Sequence, residues 1–195
     1  MDKVDVRIAP ESERDQVVSS LVLGFVTDPV ARWCWPAAET YLTSAPKFIN
    51  IYGGKAFENN SAWTEENYRG GALWLPPGVE PDEEALGELV ATTMSEEKQG
   101  HLFASLEEIG QHHPTEPHWF LPLIAVEPNW QNRSIGSALM KQAVAVCDEA
   151  GVPAYLESSN PRNISLYERI GFKVVGHVQH GDCPPFTPMV REAVI

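Results

Sequence analysis

Three cysteines, Cys34, Cys147 and Cys183, are too few and too far apart in 195 residues for a disulfide framework or a zinc site, so reduced thiols are expected. Positive charge is scarce too. Fourteen Lys and Arg stand against 27 Asp and Glu, a formal net charge of −13. Such a field repels phosphate backbones and anionic bilayers, which argues against nucleic-acid and membrane partners. A cationic partner such as an amine gains a little, although acidity also serves plain solubility. No apolar run reaches the ~18 residues of a membrane span. The start, Met1-Asp2-Lys3-Val4-Asp5, lacks the basic and apolar parts of a secretory signal and carries two acids, which transit peptides avoid. A cytoplasmic protein is the expectation. Repeats and low-complexity stretches are missing, and the length suits one domain of roughly 100–200 residues.

What is present reads as alternating elements. Val4 to Ala9 alternates as a half-buried strand does, and Pro10-Glu11-Ser12-Glu13 opens a helix with Val17, Leu21 and Phe25 at fourfold spacing. A loop carrying Asp28, Pro29, Trp33, Trp35 and Pro36 follows, then a stretch over 38–60 that turns from helical to irregular. Ala62-Trp63-Thr64 pairs with Gly70 to Leu75, and residues 81–113 form a charged helical stretch broken near Gly100. His118 to Val126 is a nearly continuous apolar run, as in a strand buried on both faces. Pro122 inside it marks a bulge, an edge or a strand start, because proline cannot donate to a ladder. Ile135, Ala138, Leu139, Gln142 and Val146 stripe an amphipathic helix that Gly151 and Pro153 end. Ala154 to Ser158 is a strand, Asn160 to Ile170 a helix, and Phe172 to Val178 with Pro188 to Ala193 a closing antiparallel pair. The succession predicts a single α/β domain with a mixed sheet.

The turn from Pro128 to Ala138 is small, polar and followed at once by that helix. Such a turn leaves several main-chain N–H groups aimed at one spot, reinforced by the helix dipole, and suits a phosphate or pyrophosphate. Arg133 adds one fixed positive charge, and Gly136 permits close approach. A well-capped helix after a loop would look the same. The turn has neither the Gly-Lys-Ser/Thr of a P-loop nor G-x-G-x-x-G, so its ligand is neither a nucleoside triphosphate nor NAD.

Leu123 to Pro128 followed by Gln131-Asn132-Arg133-Ser134-Ile135-Gly136-Ser137-Ala138-Leu139 resembles the acetyl-CoA motif of the GNAT N-acetyltransferase superfamily, Q/R-x-x-G-x-G/A after a buried strand. Asn160-Pro161-Arg162-Asn163 and Leu166-Tyr167-Glu168-Arg169-Ile170-Gly171-Phe172 resemble its second signature, in the family's order and spacing. Glu116 to Leu121, Ala150 to Ser158 and Pro161-Arg162-Asn163 are similar to puromycin N-acetyltransferase-like members. The likeness covers most of the chain and is specific from about 116 to 175. It implies a GNAT fold over residues 1–195, with a central, mostly antiparallel mixed sheet flanked by helices and an acetyl-CoA-binding core at about 116–180. One departure is Ser134, which stands where the motif has its first glycine. We expect Ser134 in the first helical turn, its hydroxyl adding a contact to phosphate. A positive φ there would instead weaken cofactor binding.

The resemblance further implies transfer of an acetyl group from acetyl-CoA, without a metal, to a primary amine of a small molecule. The acceptor would be puromycin-like or another amine, bound near residues 25–36. Tyr167 would donate to the departing thiolate, and otherwise packs the last helix on the sheet. Glu157, at the end of the strand beside the cofactor strand, would take the amine proton, hold a cationic acceptor, or sit exposed. Glu127 is a second candidate base but reads as a turn residue. The strand Ile124-Ala125-Val126 would meet the pantetheine arm, with an N–H from Val126 or its neighbour on the thioester oxygen. Gln131, Asn132, Arg133, Ser134, Ile135, Gly136 and Ser137 would hold the diphosphate, and Asn160 and Asn163 would lie near the rest of the cofactor. Asn160 could equally cap a helix. Trp33, Trp35 and Trp74 are candidates for an acceptor pocket or for core plugs, whereas His112, His113, His177 and His180 suggest no site. A silent acyl-CoA-binding module and an acetyltransferase for a peptide amine are the alternatives, and a homodimer is left open.

Overall fold

A computed structural model describes residues 4–194. Its strands are Val6–Ile8 (β1), Ala62–Glu65 (β2), Gly70–Leu75 (β3), Trp119–Val126 (β4), Ala154–Ser158 (β5), Lys173–Val174 (β6) and Thr187–Arg191 (β7). They form one seven-stranded sheet in the order β1-β2-β3-β4-β5-β7-β6. Every neighbouring pair is antiparallel except β4 and β5. Successive strand side chains point to opposite faces, so the alternation along β3 builds two cores. Leu73 and Leu75 enter one, while Ala72 and Trp74 enter the other.

The first core is covered by helices Arg14–Gly24 (α1), Pro29–Cys34 (α2), Ala38–Gly53 (α3), Lys55–Glu58 (α4), Glu83–Thr93 (α5) and Glu96–Gly110 (α6). The second is covered by Ile135–Ala150 (α7) and Ile164–Glu168 (α8). Val17 and Leu21 on α1 and Ile135, Leu139 and Cys147 on α7 are buried, as their spacing predicts. Gly24 lets α1 end directly on β4, because a Cβ there would stand 2.5 Å from that of Ala125. All three cysteines are free and buried, and burial pushes the Cys34 and Cys147 thiols up to about 12.

Several boundaries differ from expectation. The loop after Asp28 is the short helix α2, with Asp28 as N-cap and Pro29 in its first turn. The break in residues 81–113 falls at Met94 and Ser95 rather than Gly100, which sits inside α6 at a cost of about 1 kcal/mol against alanine. The final hairpin is shorter than expected. β6 has only two residues, and Val178 makes a single bridge to Phe186.

Proline at 122 has the consequence its chemistry requires. Phe120 and Leu123, three apart, both enter the first core, so the alternation slips once between them. The register slips with it, since Leu73 faces Leu123 but Leu75 faces Phe120. On its other edge β4 pairs with β5 only from Trp119 to Leu121, opposite Ala154 to Leu156. Beyond Leu121 the two parallel strands part company, and Glu157 and Ser158 pair with β7 alone. The sheet therefore has a gap in its middle.

Candidate active site

Side chains from both faces of the sheet meet at that gap. A narrow cleft is lined by Leu121, Pro122 and Ile124 of β4, Leu156 and Glu157 of β5, and Asn163 and Tyr167 of the last helical segment. Phe25, Pro122, Glu157 and Ser159 are shared with a larger chamber of about 110 Å³ on the first-core side. Aromatic and aliphatic side chains wall that chamber, among them Trp35, Phe48, Tyr52, Val90 and Leu106. Its carboxylates, Asp28 and Glu157, give it one acidic end.

Glu157 faces the first core because Tyr155, two residues earlier on β5, does so. Its carboxylate is nearly enclosed, with 8% of the side chain exposed. Tyr52 Oη donates to Oε2 at 3.1 Å, and His113 Nε2 lies 2.9 Å from Oε1. Burial pushes the Tyr52 phenol well up, and the neighbouring Glu157 charge pushes the same way. Tyr167 belongs to the second core and reaches the cleft from below, its ring edge-on to Phe172. Burial raises its phenol far above the usual value. The nearby Asp28 charge acts with burial, while a hydrogen bond with Asn163 acts against it. No local motif marks His113, Tyr52 and Asp28, which come from three distant segments: in the sequence Asp28 reads only as a loop residue, His113 suggests no site, and nothing singles out Tyr52.

Asp28 ties the chamber together. Oδ1 accepts from the amides of Val30 and Ala31, both at 3.0 Å, while Oδ2 accepts from Ser159 Oγ at 2.7 Å. Burial raises its carboxyl against these bonds.

The turn between β4 and α7 lies at the other end of the gap. Ser134 is the N-cap of α7 and makes no side-chain capping bond. The first helical hydrogen bond runs from Ala138 N–H to Ser134 C=O, so the amides of Ile135, Gly136 and Ser137 precede the first intrahelical bond. Ser134 itself is not in the first helical turn as expected: its φ of 66° and ψ of 5° are left-handed. Asn132, with φ 60°, shares that geometry. Alternating left-handed residues turn successive amides to one side, which is the concavity an anion requires. A left-handed serine costs roughly 1–2 kcal/mol that glycine does not. Gly136 is open on one side, where a Cβ would make only ordinary contacts with Leu166 and Val126.

Other turn side chains are engaged locally. Gln131 Nε2 donates to Val126 C=O at 3.0 Å, folding back onto the strand. The guanidinium groups of Arg69 and Arg133 lie 3.7 and 4.8 Å from the Trp130 ring centroid, which gathers two positive charges beside the turn. Ile124, Ala125 and Val126 run along the gap edge of β4, paired to β3 on the other side. Asn160 Oδ1 accepts from Arg162 N–H at 3.1 Å and caps the short turn before α8, and Asn163 lines the cleft. Glu127 is a turn residue. Trp35 lines the chamber, whereas Trp74 is a core plug on the opposite face. His180 pairs with Glu108 at 2.7 Å.

Comparison with known proteins agrees with this geometry. An uncharacterized N-acetyltransferase of Schizosaccharomyces pombe is 35% identical over 54 residues, 28% of this chain and 22% of that protein, so the match spans about a fifth of its length. Three solved structures superpose over nearly the whole chain. The "histone acetyltransferase HPA2 and related acetyltransferase" of Corynebacterium glutamicum has a TM-score of 0.70 at 21% identity, covering 100% of this chain and 98% of its own. An agmatine N-acetyltransferase has 0.68 at 13%, covering 98% and 100%. Arylalkylamine N-acetyltransferase 2 of Aedes aegypti has 0.68 at 10%, covering 99% and 100%. The acetyltransferase (GNAT) family profile matches residues 39–172, more than half of the chain. With that match and the gapped mixed sheet, the chain belongs to the GNAT family of acetyltransferases.

Proposed function

We propose that the protein transfers the acetyl group of acetyl-CoA to the primary amine of a small molecule with an apolar body. One observation carries the reading. Glu157 and Tyr167, from opposite faces of the sheet, line a single cleft, and the apolar chamber opens into it at Glu157. Bound acetyl-CoA would supply an activated acyl carbon and a thiolate leaving group. The residues present suit it: left-handed Asn132 and Ser134 and the amides of Ile135, Gly136 and Ser137 for the diphosphate, Arg69 and Arg133 for residual charge, and the unpaired edge of β4 for the pantetheine arm.

Glu157 is positioned to hold the ammonium group and then to accept a proton from it. A lysine-like amine, with a reference pKa of about 10.4, must be neutral to attack. Tyr167 stays protonated through the physiological range and donates a hydrogen bond as charge builds on sulfur. Its raised pKa makes it a weaker acid than a thiol of reference pKa about 8.5, so it stabilises the forming thiolate by hydrogen bonding rather than by giving up its proton. The chamber's enclosed apolar walls favour a compact amine over an extended peptide. Agmatine and arylalkylamines, the acceptors named for two structural neighbours, head the substrate panel with puromycin.

Release of free thiol from acetyl-CoA across that panel tests the proposal, with Tyr167→Phe alongside. We expect turnover with at least one amine and a loss of about tenfold or more in the variant. An unaltered rate would remove Tyr167 from the chemistry. Binding of acetyl-CoA without any transfer would leave a silent module.

A further inference from the structure

We propose that His113 is a positioning residue for Glu157 and the outlet through which the proton released in each turnover leaves the enclosed site. The proposal rests on the acetyl-transfer reading above. It starts from the proton count. An ammonium R–NH3+ becomes an amide R–NH–COCH3, losing two protons as the N–C bond forms and the C–S bond breaks. One proton ends on the coenzyme A thiol. The other must reach solvent from a carboxylate that is only 8% exposed.

Few routes leave Glu157. Tyr52 holds Oε2, and Tyr155 projects beside it from the same strand and face. Burial and the Glu157 charge push both phenols upward, so neither gives up a proton near neutrality. His113 holds Oε1 at 2.9 Å and is 28% exposed, so its ring touches both the buried carboxylate and the surface. Imidazole is the side chain suited to accept and release a proton near neutral pH.

The ring is also fixed in place. It lies 4.1 Å from the Tyr155 ring centroid, with Phe120 at 5.3 Å and His118 at 5.5 Å. The titratable groups facing it are thus Glu157 and Tyr155 from β5, Tyr52 from α3 through Glu157, and His118 from the segment before β4. His118 is itself held by the Glu116 main-chain oxygen at 2.9 Å. At rest the ring is neutral and its Nε2–H donates to the ionised Glu157. Once Glu157 takes a proton from the ammonium, exchange with solvent moves the ring proton to Nδ1, Nε2 accepts the proton from Oε1, and the imidazolium loses its Nδ1 proton to solvent, which restores the starting state. No oxidant or second reactant is needed.

His113→Gln and His113→Ala separate the two duties. Glutamine can still donate to Glu157 but cannot carry a proton, so its KM for the amine stays within about threefold while kcat falls about tenfold. In His113→Ala both parameters worsen, and added imidazole restores kcat at least about fivefold in proportion to the free-base fraction. Melting temperatures within a few degrees of the parent establish that the variants are folded, and the glutamine variant serves if the alanine variant is not. A readout independent of turnover uses the protein alone. The His113 ring N–H proton has a hydrogen-bonded chemical shift in NMR that is lost in Glu157→Ala. Parental kcat in both variants, a deficit that imidazole leaves untouched, or an unmoved resonance would each overturn the proposal. If the parent protein acetylates no amine, the functional reading itself falls, an outcome distinct from normal transfer without His113.

Discussion

Ser159 Oγ donates to Asp28 Oδ2 at 2.7 Å, joining the N-cap of α2 to the residue after β5 across 131 positions of sequence. This bond ties the α2 side of the chamber to the strand that carries Glu157. Ser159→Ala leaves a buried carboxylate oxygen without its donor and is expected to lower stability by about 1–3 kcal/mol in urea unfolding.

Asp28 also predicts a pH dependence. Its carboxyl is raised by burial, so between the ordinary value of about 3.9 and the raised one the native state holds more protons than the unfolded state. Its contribution to stability is therefore greatest at acid pH and declines as pH rises through that window. Asparagine caps as well as aspartate, so Asp28→Asn should abolish this decline while keeping α2. Urea titrations of both proteins from pH 4 to 7 measure the difference, and parallel curves would refute the assignment.

Asp148 has the opposite sign. Arg191 makes a two-pronged contact with it, both bonds at 2.7 Å, and also donates to Ile170 C=O at 2.9 Å, fastening the end of α7 to β7. The guanidinium lowers the Asp148 carboxyl, so this stabilisation is present above about 3.9 and is lost as pH falls below it toward the lowered value. Arg191→Met should cost about 2–4 kcal/mol at pH 7, discounted from a fully buried pair because Asp148 is a quarter exposed. Its acid-induced loss of stability should also be shallower than the parent's.

Ser134 is held at a φ of 66° with no side-chain cap to compensate. Ser134→Gly is expected to raise stability by about 1 kcal/mol and to bind coenzyme A at least as tightly. Ser134→Val should lower both. Calorimetric titration with coenzyme A and thermal melts check the pair. A destabilised glycine variant would show that the hydroxyl has a role of its own.

The chamber wall gives a selective handle. Ala31 on α2 lines it and is half-buried. Ala31→Phe narrows the space for the acceptor alone, so the amine KM should rise about tenfold or more while coenzyme A affinity is unchanged. Equal loss of both would place the chamber on the cofactor path.

The last two fifths of the chain, from Trp119 onward, are largely legible in sequence. A buried strand, a polar turn and a striped helix follow one another there, each specified by local pattern. Pro122 marks a bulge, an edge or a strand start from its missing N–H alone, and the structure has the bulge. The acceptor side was not legible. His113 lies beside a second histidine in a polar segment, Tyr52 is one of several aromatics on α3, and Asp28 looks like a loop residue. Only tertiary contacts 44, 105 and 131 positions apart bring them to Glu157 and Ser159. Ser134 departs from the expected first helical turn for a related reason, since helical propensity in the turn is outweighed by the need to change direction between β4 and α7. Asn132 and Ser134 together accomplish that change.

Pro122, which has no amide hydrogen, sits where β4 stops pairing with β5, so the crevice between the central strands is a property of main-chain pairing as well as of the groups that line it. Its walls can then be recut residue by residue without closing it. A scaffold of this kind can change what its cleft admits over evolutionary time while the cleft itself stays put.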